Sequence, residues 1–287
     1  MESGMLKPTE LCDASIGGGC GKAKLTVLQQ TVLGIMAGIF IALGGAASAV
    51  ASHSVTNVGL AKFVGGAIFP VGLILVIICG AELFTGNCLM VVPLMDKKIS
   101  FKDLIRNWVV VYIGNFIGSV LLAFLVFESG MLTMSSGKLG GTVIKVASTK
   151  AGLPFATAFA SAILCNLLVC LAVWGAAAAK DVVGKIAIAW FPIMAFVTCG
   201  FEHCVANMYF LMVGLFAKSN PVFAQASGLT PDKMVNGSGI IHNLIPVTLG
   251  NMVGGIILVG FTYYIAYKYA PALSEKSKSN LTQANVN

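Results

Sequence analysis

Charge is what this sequence has least of. Only 10% of its 287 residues are Asp, Glu, Lys or Arg, whereas 57% are hydrophobic. A soluble domain carries about a quarter charged residues, so that class is excluded. The apolar content equally excludes a disordered chain. The eight cysteines form no CxxC pair and no zinc-type spacing, so no metal site and no cofactor is expected. No apolar signal stretch opens the chain, which predicts no cleaved leader. The formal net charge is +7. With no basic-aromatic module for nucleic acid, that excess is expected in loops flanking membrane spans.

What is present is apolar sequence in long runs. Six segments stand out, at roughly 25–52, 63–95, 107–127, 154–179, 186–217 and 239–267. They predict an all-α polytopic membrane protein in a lipid bilayer, since about 20 apolar residues suffice for one span. Residues 1–24 read as a polar, Gly-rich cytoplasmic tail with two free thiols, Cys12 and Cys20. Residues 25–268 read as the six-span unit and 269–287 as a polar, disordered cytoplasmic tail. Twelve of the eighteen Lys and Arg residues fall on the side of the two termini, which predicts both termini in the cytoplasm. Trp108, Trp174 and Trp190 lie near the same loops, as an aromatic belt at the inner interface would. The second and fifth segments each exceed 30 residues, too long for one straight crossing. Each is expected to tilt steeply or to break where protein or a wet cavity surrounds it.

These two segments share a pattern. Cys79-Gly80-Ala81-Glu82 and Asn87 lie 120 residues before Cys199-Gly200-Phe201-Glu202 and Asn207. Further on, Asn107…Gly114-Asn115-x2-Gly118 lies 136 residues before Asn243…Gly250-Asn251-x2-Gly254. Two matches in one order predict tandem three-span repeats, about 25–127 and 154–267. Three is odd, so the second copy enters from the opposite face. The breaks then meet near the bilayer midplane, as in channels and transporters. The GxxxG pairs Gly34/Gly38, Gly114/Gly118 and Gly250/Gly254 predict close helix packing. Asn115 and Asn251 beside them are expected to tie the broken segments down.

Only two acids, Glu82 and Glu202, fall inside apolar segments, and they are the repeat-related pair. An intramembrane charge is expensive and seldom idle. Either each carboxylate secures backbone groups freed by a break, or the two form a proton relay or cation site; their symmetry favours the first. The residues after the two acids differ. His203 is the one histidine deep in an apolar segment, and a residue that titrates near neutrality suits a pore. Thr85 can offer a hydroxyl to the same site or cap a helix break. His203 and Cys204 are adjacent, but helix neighbours point apart and no second histidine joins them, so no enzyme is expected.

The segments AELFTGN (81–87), GFEHCVANM (200–208) and NLIPVTLGNMVGG (243–255) resemble the hallmark segments of the formate/nitrite transporter family. The resemblance runs over about 25–268. It implies an aquaporin-like fold of six helices in inverted three-helix repeats, with broken second and fifth helices. It also implies a homopentamer with one pore per protomer, in the inner (plasma) membrane, conducting hydrosulfide, formate or nitrite. By the resemblance His203 is the central histidine, Glu202 its neighbour and Thr85 the pore threonine. Phe69, Leu73, Leu83, Val169 and Phe196 match the constrictions, Asn166 and Asn251 the pore-lining amides, and Lys150 the vestibule lysine. Glu82 remains structural, at the first break. Many members place Ser after the histidine; Cys204 here, with Cys88, hints at the hydrosulfide branch. The implied mechanism is neutralisation of the anion by a proton from His203 between apolar rings. A proton-coupled formate/nitrite symporter and an aquaporin-like pore for neutral solutes are the alternatives.

Overall fold

The computed structural model describes residues 4–274. These residues are all-helical, with one isolated β-bridge between Met5 and Ala179 and no strands. Six helices are long and apolar enough to cross a membrane. The chain is a multi-pass membrane protein.

The first half begins with α1 (Pro8–Lys24). It continues through α2 (Val27–Ser52), the joined helices α3 (Val58–Ile68) and α4 (Val71–Cys79), and the short α5 (Phe84–Asn87) and α6 (Val91–Met95), to α7 (Phe101–Glu128). The second half follows the same order: α8 (Lys138–Ala151), α9 (Phe155–Ala178), α10 (Val182–Cys199) and α11 (Cys204–Ala217). After α12 (Pro221–Ser227) it ends in α13 (Gly237–Val253). Polar caps set the starts. Thr26, Ser100, Asn57, Asp181 and Asn236 each accept a backbone N–H from the first turn of their helix.

The glycine pairs act as expected. A Cβ on Gly38 would lie 2.2 Å from the Asn115 carbonyl oxygen, and one on Gly118 would lie 2.0 Å from that of Ile35. Only glycine lets α2 and α7 meet backbone to backbone. Gly250 and Gly254 do the same against α9, at Phe159 and Ile163.

The ends of the chain differ from the sequence reading. Residues 8–24 form a helix despite its glycines. Pro8 opens it, Glu10 accepts the Lys7 N–H at 2.8 Å, and Leu11, Cys12 and Ile16 pack on Leu89, Val92 and Trp174. Packing overrides the low propensity of glycine. Cys12 is a free thiol, fully buried on this helix rather than in a polar tail, and burial pushes its pKa up. At the other end, residues 268–274 continue the last helix, which Lys268 pins to Asp13 of α1 at 2.6 Å. The rest of the expected disordered tail lies outside the described residues. Trp108 and Trp174 are buried among helices and form no belt; Trp108 donates to the Asn87 carbonyl at 2.9 Å.

Candidate functional site

Each over-long segment contains an interruption. α4 stops at Cys79, Gly80 turns with φ +79°, and the chain is non-helical until Phe84. α10 stops at Cys199, Gly200 turns with φ +76°, and helix resumes at Cys204. Positive φ of this kind favours glycine, which is why Cys-Gly-x-Glu recurs at both places.

Freed backbone groups need partners. In the first break the Asn115 Oδ1 accepts the Phe84 N–H at 2.9 Å, while its amide donates to the carbonyls of Gly34 and Glu82. In the second, Asn251 Oδ1 accepts the Cys204 N–H at 2.9 Å and its amide donates to Ala162 and Glu202. One asparagine clamps each break to two helices.

The carboxylates are tied by a second, parallel set. Glu82 pairs with Lys22 at 2.6 Å and accepts from Asn87 at 2.7 Å; Asn87 also donates to Asn107. Glu202 pairs with Lys150 at 2.6 Å and accepts from Asn207 at 2.6 Å; Asn207 also donates to Asn243. Both glutamates are 5% exposed. The sequence reading located both acids, and Lys150 as a vestibule lysine, but paired neither acid with a lysine. Lys22 is 128 residues before Lys150, between the 120- and 136-residue spacings of the flanking matches, and that spacing is the signal it left unused.

The two breaks differ at one position. His203 occupies the N-cap of α11, where its Nδ1 accepts the Ala206 N–H at 3.1 Å. Leu83 occupies the matching position before α5 and offers no such cap. Two residues past Leu83, Thr85 brings its Oγ1 to 2.9 Å from His203 Nε2. Because Nδ1 accepts, the ring is neutral with its proton on Nε2, which donates to Thr85. The threonine hydroxyl keeps its own proton for another acceptor.

Apolar side chains surround this pair. Phe196 stacks on His203 at 5.8 Å between ring centroids and meets Phe69 edge-on at 5.7 Å. Leu73, Leu83 and Val169 belong to the same buried cluster, each at most 2% exposed. Asn166 donates to the Thr85 and Asn251 carbonyls, and its buried Oδ1 has no partner among the described residues. The expected constriction residues, Thr85, His203 and Asn166 thus come together. Asn251 spends its amide on backbone, and Glu202 faces its lysine rather than the imidazole. Among the described residues, no three His, Cys, Asp or Glu side chains gather as a metal would need.

A cavity of about 650 Å³ reaches the His203 side of this pair. Phe69, Phe196 and His203 form part of its lining, together with Lys62, Lys145 and Lys150. Such a cavity, funnelling to interrupted helices inside a six-span bundle, defines a membrane transport protein. The sequence model of formate/nitrite transporters matches residues 9–265. The chain belongs to the formate/nitrite transporter family, whose members are transporters and channels rather than enzymes. It is 43% identical over 266 residues to a probable formate transporter of Methanothermobacter thermautotrophicus, covering 86% of this chain and 91% of that one. It is 36% identical over 270 residues to the formate channel FocA of Escherichia coli strain K12, covering 92% and 95%. Among solved structures, a pentameric formate channel with formate bound superposes with a TM-score of 0.76 at 36% identity, over 84% of this chain and 97% of that one.

Proposed function

We propose that this chain conducts small monovalent anions of weak acids, formate foremost, across the plasma membrane. It works as a homopentamer with one path per protomer and both termini in the cytoplasm. Its two halves span in opposite senses, so the two breaks approach one another from opposite faces. The observation that carries this reading is the Thr85–His203 pair, one residue from each break, closed in by Phe69 and Phe196.

An anion stripped of water in an apolar ring is very costly unless compensated. Compensation comes in two stages. The α11 N-terminus and the Thr85 hydroxyl present positive ends to the anion. A proton then neutralises it. A neutral imidazole cannot give up its Nε2 proton outright, because imidazolate is too basic. His203 must first take a proton on Nδ1 from water in the cavity that it lines, which forfeits the Ala206 contact. The imidazolium Nε2–H then passes to Thr85 Oγ1 as the Thr85 O–H passes to the anion. The imidazole is left neutral with its proton on Nδ1, and the uncharged acid crosses the apolar ring; release of the Nδ1 proton to cavity water and uptake of one at Nε2 return the resting tautomer.

The relatives named as formate channels support formate as the anion. Cys204 and Cys88, both buried near the pair, make hydrosulfide the second anion to test. The experiment is flux into proteoliposomes of formate, nitrite and hydrosulfide side by side. Formate entry that persists without a proton gradient supports a channel, and strict dependence on the gradient supports a symporter. Water permeation without anion flux overturns both.

A further inference from the structure

The cavity above the gate is lined by three lysines and a single carboxylate, Glu202. The lysines are not equivalent. Lys150 is engaged: its Nζ lies 2.6 Å from Glu202 Oε1 and 5.7 Å above the Phe210 ring, and its side chain is only 17% exposed. Its charge is largely cancelled where it stands. Lys62 and Lys145 are more accessible, and among the described residues neither ammonium has a hydrogen-bond or ion-pair partner.

Lys62 is the better placed of these two free cations. It sits on α3 with Gly65 and Phe69 on one face, at i, i+3 and i+7, and all three line the cavity. The helical rise places Phe69 about 10 Å further along. Gly65 packs against Ser48 and Ser52 of α2, which line the same cavity. The Lys62 ammonium also lies against Gly200, since a Cβ there would be 3.0 Å from its Nζ. Gly200 ends α10 three residues before His203. The negative end of α10 lies at this point, and the full charge of Lys62 outweighs its roughly half charge.

We propose that Lys62 is the anion-capture residue of this cavity, holding a small monovalent anion immediately before the Phe69–Phe196 gate, with Lys145 as a second cation at the rim. This rests on the channel reading and assigns the role to a residue other than the paired Lys150. Capture raises the local concentration of anion at the gate.

The test uses the full chain in planar bilayers, with sodium formate as probe on one side at a time. Lys62→Gln should raise the half-saturating formate concentration roughly five- to tenfold, for flow from the cavity side only. It should lower maximal flux by a smaller factor, weaken the inhibition by added inert salt, and be rescued by Lys62→Arg. Lys62→Gln/Lys145→Gln should raise half-saturation further. Unchanged half-saturation and salt response in Lys62→Gln would overturn the proposal. So would a loss confined to maximal flux that Arg does not restore, which marks a helix-end role alone. Thermal melting of each variant, matched to the unsubstituted chain, shows that the fold is kept. An unsubstituted chain that passes neither formate nor hydrosulfide overturns the channel reading itself.

Discussion

His203 does two separate things, and substitutions can part them. Its Nδ1 caps α11 and its Nε2 meets Thr85. Asparagine is a good N-cap and does not titrate. His203→Asn should therefore keep the fold while removing whatever pH dependence the imidazole gives to formate flux. His203→Ala loses the cap as well, at about 0.5–2 kcal/mol, so it should melt earlier than His203→Asn. Flux against pH in liposomes and melting in detergent check the two claims. An unaltered pH profile in His203→Asn would refute the proton role. Thr85→Val leaves the imidazole Nε2–H without its acceptor and removes the hydroxyl from the path. Flux should fall by about tenfold or more, the loss of one buried hydrogen bond being worth at least 1–3 kcal/mol. Measured initial rates in the same vesicles test that value.

At the scale of elements, the interrupted spans stand or fall with their clamps. Asn115→Ala or Asn251→Ala orphans one buried N–H and one carbonyl of a break at once, at Phe84 and Glu82 or at Cys204 and Glu202. At about 1–3 kcal/mol for each group left buried and unpaired, either variant should lose most of its thermal stability. Retention of the parent midpoint would show that water replaces the amide. The lysines differ more subtly. Lys22 is 32% exposed and Lys150 17%, so water can better serve the carboxylate that Lys22 leaves behind. Lys150→Met should therefore destabilise more than Lys22→Met, both by less than the about 3–5 kcal/mol of a fully buried pair. Equal melting shifts would contradict this ordering. Much of this architecture is legible in sequence, because a break needs glycine, an acid in lipid needs a reason, and both recur. The pairing of Glu82 with Lys22 is not legible from charge counting, which assigns Lys22 to the N-terminal tail: the contact spans 60 residues and depends on α1 being a helix. Local propensity argues against that helix, since Gly17-Gly18-Gly19 favours a coil, and only contact with Leu89, Val92 and Trp174 reverses the balance.

The whole molecule leaves one span notably uncovered. In α10 only 17% of the apolar window is buried within the chain, against 39–50% for the other spans. Phe191 and Val183 are among its outward residues, at 63% and 75% exposure. That face needs lipid or another copy of the chain, which agrees with the proposed pentamer. Yet the chemistry needs no second copy. The cavity, both phenylalanines, Thr85 and His203 all come from one chain. A path inside each protomer and a path between protomers make different predictions for mixed assemblies. Co-assembly of active chains with Thr85→Val chains should reduce formate flux in direct proportion to the active fraction, because each pore answers only to its own pair. A shared central path would instead fail steeply, as the probability that every subunit in the ring is intact. Flux measured over a graded series of mixing ratios separates a straight line from a high power, and a high power would place the conducting route away from Thr85 and His203.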